Sequence, residues 1–417
     1  MKYGLIGKDV STSLSKKIHE MLCDSSYELL SFSNDNEVLE FFKTDFDFVN
    51  ITIPYKILAF QQMDELSPYA RATGVVNLVV KRNGKLYGFN TDVCGFYYLL
   101  DKYSVDVKDK DCLILGTGAT SKSVEFALKE RGAKSIKFLS RTPNGENEFS
   151  YQGYKVNEEA QIIVNTTPVG MNGLDERKLI DFNNCKNAEY FLDVVYKPFK
   201  TRMVLDARDY GIKSYGGLPM LVAQAIKSHE LYFGTKIEKE RYDEIYRKMV
   251  ISSINLVLIG HPFAGKSTIC EAFSKKYHFP SIDIDKEIVR HEDGTPISQV
   301  FLDKGETYFR NVESSFIEEC SNLVGYIIAM GGGAVLSKRN RDLFAKNSLV
   351  FNIKRPLDLI DESSIQDRPL ARSKRELGLL IENRKDIYER YQDFEIMNDG
   401  DIEKACDDIW RSLWESM

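Results

Sequence analysis

The 417-residue sequence predicts an α/β protein of two or three domains. Apolar runs rich in β-formers, such as "FDFVNITIP", "DCLILG" and "INLVLIG", alternate with amphipathic helical stretches along the whole chain, which favours parallel βαβ construction. The length exceeds the roughly 150 residues of one ordinary domain. Two of the predicted strands lead directly into glycine-containing loops followed by helices, so each half of the chain carries a candidate nucleotide site.

Composition narrows the class of protein. Hydrophobic residues make up 43% and charged residues 28%, which is ordinary for a soluble globular chain, and the net charge of −6 argues against a general nucleic-acid binder. Seven cysteines are scattered without a C-x-x-C pair, which favours reduced thiols and neither a disulfide framework nor a zinc site. No apolar run reaches the roughly 18 residues of a membrane span and no signal core opens the sequence, so we expect a cytoplasmic protein.

Changes in local composition predict the domain boundaries. A polar stretch, "SVDVKDKD", separates a first unit, 1–100, from a second, 101–215. The charged stretch "GTKIEKERYDEIYRKMVISS" is typical of a closing helix and linker, placed at 236–253, and a third unit follows over 254–417. We expect the helices near 216–245 to pack back on the first unit. Monomer and homodimer are both compatible with the sequence.

The segment "DCLILGTGATSKSVEFALKERGA" predicts a strand, a tight turn and a helix. Gly116 and Gly118 would let the backbone approach a pyrophosphate at the N-terminus of the helix, where free N–H groups favour anions. The alternative is an ordinary strand–helix turn. The next strand ends in Ser140, Arg141 and Thr142, where a site for NAD would normally show an acidic residue, and this favours the 2′-phosphate of NADP over NAD. The alternative for these three residues is a solvated strand end.

The first 235 residues resemble the shikimate dehydrogenase family. The resemblance rests on motifs in a fixed order: "STSLS", "NITIPYK" (Asn50–Lys56), "TGVVN" (Thr73–Asn77), "GFNTD" (Gly88–Asp92), "GTGATS", "SRT", "NTTPVGM" (Asn165–Met171), "DVVYKP" (Asp193–Pro198) and "GGLPMLVAQA" (Gly216–Ala225). It implies an α/β substrate domain, a Rossmann-type NADP domain and the reversible NADP(H)-dependent reduction of 3-dehydroshikimate to shikimate.

The same resemblance implies the roles of single residues. Lys56 and Asp92 would be the catalytic pair. Such a pair suits hydride addition to a ketone, because the alkoxide that forms needs a proton or a nearby cation. The substrate would be bound by Ser13, Ser15, Thr52, Asn77, Asp92, Tyr196 and Gln224. NADP would be bound by Gly116, Thr117, Gly118, Ala119, Thr120, Ser140, Arg141, Thr142, Val194 and Gly217.

The second loop, "GHPFAGKS" (Gly260–Ser267), follows an apolar strand and precedes a helix, the context that a phosphate-binding loop requires. Its N–H groups would surround the phosphates, Lys266 would reach the outer phosphates, and Ser267 would ligate Mg²⁺. Downstream, "SIDIDKEI" places Asp283 and Asp285 at a strand end, and helix capping by Asp283 is a plausible alternative to metal binding.

Together with "FRNVE", "GGGA", "DRPL" and "ENRKDIYERY", this loop resembles the shikimate kinase family over 254–417, a P-loop fold with a parallel sheet. The resemblance implies that Asp285 orients the accepting hydroxyl, that Ser267 and Asp283 hold Mg²⁺, and that Lys266 and Arg368 steady the phosphoryl group. It implies ATP binding by Gly260, Phe263, Ala264, Gly265, Lys266, Ser267, Thr268 and Arg368. It implies shikimate binding by Asp285, Arg310, Gly331, Gly332, Gly333 and Arg384.

The sequence therefore predicts a bifunctional enzyme of the shikimate pathway that makes shikimate with NADPH and then phosphorylates it with ATP and Mg²⁺. One alternative is an active dehydrogenase with a degenerate, regulatory kinase half, because Phe263 stands where these kinases usually have glycine. Another is a quinate/shikimate dehydrogenase variant that uses NAD.

Overall fold

The computed structural model describes residues 2–23, 26–152, 159–171, 178–361 and 373–415. The chain forms two compact units, Met1–Met249 and Val250–Met417. Two β-sheets belong to the first unit and one to the second. The subdivision of the first unit at residues 100 and 215, and the linker over 236–253, stay predictions.

The first sheet is mixed. Its strands are β1 (Tyr3–Gly7), β2 (Tyr27–Ser31), β3 (Phe48–Ile51), β4 (Glu65–Leu66), β5 (Leu78–Arg82) and β6 (Lys85–Phe89), in the order β2-β1-β3-β5-β6-β4. Strand β1 pairs parallel with β2 and β3, whereas β5 runs antiparallel to both β3 and β6. The expectation of parallel construction therefore fails for β5.

A tight turn explains the antiparallel pair. Asn83 and Gly84 connect β5 to β6 with φ values of 52° and 77°. Positive φ at both central residues is the requirement of a type I′ turn, whose twist matches that of a two-stranded hairpin. The Asn-Gly dipeptide between apolar runs was a signal for this hairpin in the sequence.

The second sheet is parallel throughout. Its strands are β7 (Asp111–Leu115), β8 (Ser135–Ser140), β9 (Glu148–Ser150), β10 (Ile162–Asn165), β11 (Tyr190–Asp193) and β12 (Lys213–Tyr215), in the order β12-β11-β10-β7-β8-β9. The chain runs outward from β7 to β9 and then returns to place β10 on the other side of β7. The loops after β7 and β10 therefore diverge at a topological switch point, the place where such sheets bind ligands.

Nine helices are described in or at the end of the first unit. They are α1 (Ser15–Leu22), α2 (Asp35–Lys43), α3 (Lys56–Gln61), α4 (Pro68–Thr73), α5 (Asp92–Lys102), α6 (Ala119–Glu130), α7 (Arg202–Asp209), α8 (Leu218–Phe233) and α9 (Lys239–Ile251). Helix α6 buries Val124, Ala127 and Leu128, the apolar face that its sequence predicts. Helix α8 packs on α1 and α5, and a Cβ added at Gly95 of α5 would lie 2.6 Å from the carbonyl oxygen of Met220. Glycine at this position allows the two helices to approach closely.

The second unit contains a five-stranded parallel sheet in the order β14-β15-β13-β16-β17. The strands are β13 (Asn255–Ile259), β14 (Ser281–Asp283), β15 (Ile327–Ala329), β16 (Ser348–Lys354) and β17 (Phe394–Met397). Every residue of the central strand β13 is buried. Since β13 lies between β15 and β16, the loops that follow β13 and β15 meet at one edge of the sheet.

Six helices are described in the second unit: α10 (Lys266–Tyr277), α11 (Ile284–His291), α12 (Ile297–Ser321), α13 (Lys338–Lys346), α14 (Lys374–Tyr391) and α15 (Ile402–Glu415). Helix α12 is kinked at Gly305, which has φ 83° and ψ 164°. Helix α15 packs on α10 through stacked rings of Tyr277 and Trp410, whose centroids are 4.5 Å apart. Of all the helices described in the chain, none combines the length and apolar character of a membrane span.

Candidate active sites

A buried ion pair forms the centre of the first site. Lys56 begins α3 just after β3, and Asp92 begins α5 just after β6. Both strands belong to the first sheet, and the two side chains meet beyond the ends of these strands at the same edge of the sheet. The Lys56 Nζ donates to Asp92 Oδ2 over 2.7 Å, and 9% and 8% of the two side chains are exposed. Shielding from water strengthens the attraction between the two charges. The pair combines a proton donor with a carboxylate that fixes its position.

Asn77 holds the carboxylate of this pair from the other side. Its Nδ2 donates to Asp92 Oδ1 over 2.8 Å, and its Oδ1 accepts from the backbone N–H of Thr91 over 2.7 Å. Both Asn77 and Thr91 are buried. The structure thus brings together three residues, Lys56, Asn77 and Asp92, that the sequence placed in one site.

A buried chain of hydrogen bonds continues behind the pair. Ser228 of α8 accepts from Asn50 Nδ2 over 2.8 Å, and its hydroxyl lies 3.3 Å from that of Thr91. Asn50 in turn accepts from the Tyr27 hydroxyl over 3.0 Å. The sequence analysis gave none of these four residues a role. Asn50 and Thr91 fall inside quoted motifs, whereas no local pattern marks Ser228.

The predicted substrate-binding hydroxyls lie between β1 and α1. Ser13 Oγ accepts from the backbone N–H of Ser15 over 3.2 Å and is also hydrogen-bonded to the Tyr196 side chain. Burial raises the pKa of Tyr196, so its phenol stays protonated and able to donate. Thr52 follows β3, and its methyl group lies 2.5 Å from where a Cβ on Gly7 would stand. The Gln224 amide donates to the carbonyl of Leu221 in its own helix, over 2.9 Å.

The loop after β7 has the geometry of a dinucleotide site. Gly116 has φ 97°, and a Cβ there would lie 2.7 Å from the methyl group of Thr167 in the loop after β10. Gly118 caps α6, and the position of its missing Cβ has no atom within 4 Å. An open approach to a helix N-terminus suits a pyrophosphate. Ala119 and Thr120 form the first turn of α6, and the Thr120 hydroxyl lies 3.4 Å from Lys56 Nζ.

The end of β8 lies beside this loop. The Ser140 and Thr117 hydroxyls are 3.3 Å apart, and Ser140 Oγ accepts from the backbone N–H of Thr142 over 3.2 Å. Arg141 and Thr142 are exposed. Because an exposed guanidinium and hydroxyls next to the glycine loop match the donors that a phosphate needs, the position fits a ribose 2′-phosphate.

The loops that follow β11 and β12 are in close contact with each other. A Cβ on Gly217 would collide with the backbone of Val194, so this pair is in close backbone contact. The adjacent Asp193 is buried and accepts hydrogen bonds from Asn165 Nδ2 at 2.9 Å and Thr201 Oγ1 at 2.7 Å. Burial raises the pKa of Asp193 from 3.8 to about 7 despite these donors. Asp193 and Asn165 lie in quoted motifs but received no role from the sequence.

The second site is built around the loop after β13. Gly260 and Gly265 have φ values of 141° and 91°, and Lys266 Nζ donates to the carbonyl oxygens of Gly260 and His261, both over 2.9 Å. Asn398 Nδ2 donates to the carbonyl of Ala264 over 2.7 Å. Ser267 and Thr268 are exposed in the first turn of α10. A curled loop that leads into a helix N-terminus with a lysine fits a phosphate chain.

Asp283 is positioned both to cap a helix and to bind a metal ion, the two roles that its sequence position allows. One carboxylate oxygen caps α11 by accepting from the N–H of Lys286 over 3.2 Å. The other, Oδ2, is buried without a hydrogen-bond partner. A buried carboxylate oxygen without a partner is costly and suits a hard cation such as Mg²⁺. Asp283, together with Ser267, therefore fits the metal role that the sequence predicts.

A cleft lies next to the loop. It is lined by four charged residues (Asp285, Arg310, Glu313 and Arg384) and by apolar residues that include Pro262, Phe263, Phe301 and Leu380. Arg384 Nη1 donates to the carbonyl of Gly332 over 3.0 Å. The structure thus brings together the predicted acceptor residues. Arg368 lies outside the described residues.

The three glycines after β15 lie so close to neighbouring residues that a side chain would not fit at these positions. A Cβ on Gly331 would lie 2.5 Å from Glu313 Oε1 and 2.9 Å from Asp285 Oδ1. On Gly332 it would lie 3.0 Å from Pro262, and on Gly333 it would overlap the guanidinium of Arg310. A side chain at Gly331 or Gly333 would displace charged groups of the cleft, and a side chain at Gly332 would press on Pro262.

The sequence analysis missed two residues, one that lines this cleft and one that contacts its glycines. Glu313 is fully buried, its Oε2 accepts from Arg310 Nη1 over 2.8 Å, and burial raises its pKa. Tyr388 donates to the carbonyl of Gly332 over 2.6 Å. Helical spacing was the available signal, because Glu313 follows Arg310 by three residues and Tyr388 follows Arg384 by four.

Comparisons with known proteins show a family for each half of the chain. Residues 5–79 match the family model of the shikimate dehydrogenase substrate binding domain, and residues 262–414 match that of shikimate kinase. The chain is similar to shikimate dehydrogenase (NADP(+)) of Clostridium perfringens, with 33% identity over 264 residues that are 59% of this chain and 97% of the relative. The corresponding enzyme of Methanococcus maripaludis is 33% identical over 273 residues, 60% of this chain and 97% of the relative.

Solved structures of shikimate dehydrogenases are similar to about the first 60% of the chain. Shikimate dehydrogenase 1 of Peptoclostridium difficile has a TM-score of 0.56 and 30% identity, covering 60% of this chain and 98% of that chain. Shikimate 5-dehydrogenase of Thermus thermophilus in complex with NADP(H) and shikimate has a TM-score of 0.52 and 29% identity, covering 60% and 99%.

Proposed function

Because the chain belongs to the shikimate dehydrogenase family and carries a shikimate kinase domain at its C-terminal end, we propose that it catalyses two consecutive reactions of the shikimate pathway. The first is the NADPH-dependent reduction of 3-dehydroshikimate to shikimate. The second is the transfer of a phosphoryl group from ATP to the 3-hydroxyl of shikimate. The observation that carries the proposal is the presence in one chain of the Lys56–Asp92 pair beside a dinucleotide loop and of a phosphate loop beside an arginine-lined cleft.

In the dehydrogenase reaction, bound NADPH supplies a hydride to the ketone carbon. Lys56 donates a proton to the oxygen on which negative charge develops, and Asp92 keeps the ammonium group in place. Asn77 orients Asp92, and the hydroxyls of Ser13, Ser15 and Tyr196 bind the polar groups of the substrate. Arg141 binds the 2′-phosphate and so selects NADP.

In the kinase reaction, the acceptor must lie with its hydroxyl in line with the outer phosphate. Arg310 and Arg384 hold the carboxylate of shikimate, since planar guanidinium groups match carboxylates, and Asp285 orients the accepting hydroxyl. Lys266 offsets the negative charge of the outer phosphates. Ser267 and Asp283 hold Mg²⁺, which helps to neutralise the phosphates.

Two alternatives are less well supported. The relatives with 97% coverage are named as NADP(+) enzymes, which argues against an NAD-dependent quinate variant. A degenerate kinase half is disfavoured because the described site retains Lys266, Asp283, Asp285, Arg310 and Arg384. We place the protein in the cytoplasm, on the support of seven cysteines that are free in the structure.

A single experiment tests the proposal. Purified full-length protein is mixed with 3-dehydroshikimate, NADPH, ATP and Mg²⁺, and products are followed by mass spectrometry. Shikimate 3-phosphate is expected. The Lys266→Met variant should stop at shikimate, and the Lys56→Met variant should phosphorylate added shikimate but reduce 3-dehydroshikimate only very slowly. If the wild-type protein converted neither substrate, the proposed function would be wrong.

A further inference from the structure

Phe263 occupies an unusual backbone position within the phosphate loop. Its φ is 66°, in the left-handed region that bulky residues seldom adopt. The neighbouring carbonyls are held in place, because that of Pro262 is hydrogen-bonded to His261 Nδ1 at 2.6 Å and that of Ala264 accepts from Asn398. Strained residues that the surroundings hold in place occur preferentially at functional sites.

The Phe263 side chain contacts two sets of residues. It packs on an apolar cluster made of buried Ile360 and Leu377 together with Leu357 and Ile381. It also lines the acceptor cleft beside Pro262. The aromatic ring, which belongs to the phosphate loop, therefore contacts the start of α14 and also lines the cleft.

Helix α14 carries both apolar residues of this cluster and a charged residue that lines the cleft. Leu377, Ile381, Arg384 and Tyr388 follow one another at intervals of three and four residues, so they lie on one face of the helix. Arg384 and Tyr388 both donate to the carbonyl of Gly332. Phe263 thus rests on the same helical face that presents Arg384 to the cleft.

We propose that Phe263 is a specificity-determining residue of the acceptor site, contributed by the phosphate loop itself. Its ring supplies apolar surface to the same cleft that Asp285, Arg310 and Glu313 line. A cyclic hydroxy acid whose added hydroxyl faced this ring would lose water without gaining a partner, so the ring selects shikimate against more hydroxylated acids. This inference rests on the assignment of the cleft to shikimate.

The test measures binding of shikimate and of ATP with Mg²⁺ to the full-length protein by calorimetry. Because the dehydrogenase half also binds shikimate, the shikimate data are fitted to two sites, and the Kd of the kinase half is compared. Phe263→Gly relieves the backbone strain and removes the ring, and we expect the shikimate Kd to rise about tenfold and the ATP Kd to change less than about threefold. Phe263→Leu keeps an apolar side chain and should keep the shikimate Kd within about threefold of wild type. The ratio of kcat/KM for quinate to that for shikimate should rise about tenfold in Phe263→Gly.

Leu357→Ala is the matched control, because Leu357 belongs to the same apolar cluster but does not line the cleft. It should lower the thermal midpoint of the kinase half while the shikimate Kd stays within about twofold. An unchanged shikimate Kd in Phe263→Gly, an equal rise of both Kd values, or an equal effect of Leu357→Ala would each overturn the proposal. A wild-type protein that reduced 3-dehydroshikimate but bound no shikimate at the kinase half would overturn the assignment of the cleft and this inference with it.

Discussion

The ammonium nitrogen of Lys56 lies 2.7 Å from a carboxylate oxygen of Asp92, and less than a tenth of either side chain is exposed. The two residues are 36 positions apart and begin two different helices. Asn77 binds the second carboxylate oxygen, so the carboxylate of the pair is also held by a buried amide. Such a preorganised charge costs no reorganisation when a substrate oxygen becomes negative.

Replacing Lys56 by Met should slow the turnover of 3-dehydroshikimate by a factor of about 10² to 10⁴, because the proton donor is lost while the substrate-binding hydroxyls remain. Initial rates of NADPH consumption at saturating substrate measure this directly. KM should change much less than kcat, since the missing proton transfer belongs to the transition state.

Lys85→Met is the matched control for Lys56→Met. Lys85 pairs with Glu65 at 3.6 Å on the surface, where an ion pair contributes little. Its loss should leave the turnover rate within about twofold of wild type. A Lys56→Met enzyme with a nearly normal turnover rate would show that another group donates the proton.

Replacing Arg141 by Ala should weaken the preference for NADP. The guanidinium of Arg141 is exposed at the end of β8, and losing a charge-assisted hydrogen bond of about 1.5–3 kcal/mol predicts a roughly 10- to 100-fold fall in kcat/KM for NADPH. The value for NADH should stay the same, since NADH lacks the 2′-phosphate. Steady-state kinetics with both cofactors measure the ratio. Arg131→Ala, at the end of α6, is the control, and parallel losses with both cofactors would argue against the assignment.

Local sequence signals were sufficient to predict the two glycine-containing loops, whereas most of the candidate site residues came from the family resemblance. The glycines after β7 and β13 adopt positive φ at Gly116, Gly260 and Gly265, where backbone conformation limits the choice of residue. The family resemblance placed Asp92, Asn77 and Lys56 in one site, and the structure brings the three side chains together. The family resemblance of the two halves to shikimate enzymes is confirmed by the comparisons.

Long-range packing accounts for what the sequence did not reveal. Ser228 reaches Asn50 across 178 positions, and no local pattern predicts that contact. The antiparallel β5 was missed because alternation of strands and helices outweighed the Asn83-Gly84 turn signal. Phe263 was recognised only as a departure from glycine, since its packing on Leu377 depends on how α14 docks.

Replacing Asp283 by Asn should raise the Mg²⁺ concentration needed for half-maximal kinase activity. The buried Oδ2 has no hydrogen-bond partner, whereas Oδ1 caps α11, and an amide can still cap but ligates a cation poorly. We expect a shift of about 10- to 100-fold in the Mg²⁺ titration, by analogy with the cost of disturbing groups around a metal. Asp399→Asn, on an exposed pair with Lys404, should leave the titration unchanged. An unshifted titration in Asp283→Asn would restrict Asp283 to helix capping.

The buried His19 should make the first unit sensitive to acid. Burial, with a smaller contribution from His229, lowers the pKa of His19 from 6.5 to about 3, and the imidazole stacks on Tyr27 at 4.2 Å between ring centroids. Below pH 6.5 the unfolded chain binds a proton that the folded chain does not, so stability is full above this pH and decreases as the pH falls towards 3. The expected slope is about 1.4 kcal/mol per pH unit.

This slope can be measured as the temperature at which dehydrogenase activity is lost after incubation at about pH 4.5 and about pH 6.5. For a unit of this size, about two pH units should lower the midpoint by about 5 to 10 °C. His19→Phe keeps a stacked ring but cannot be protonated, so its midpoint should depend less on pH. Tyr27→Phe disturbs the same cluster and keeps the imidazole, so it should retain the wild-type dependence on pH. If His19→Phe lost stability in acid as steeply as wild type, the acid sensitivity would have to arise from other groups.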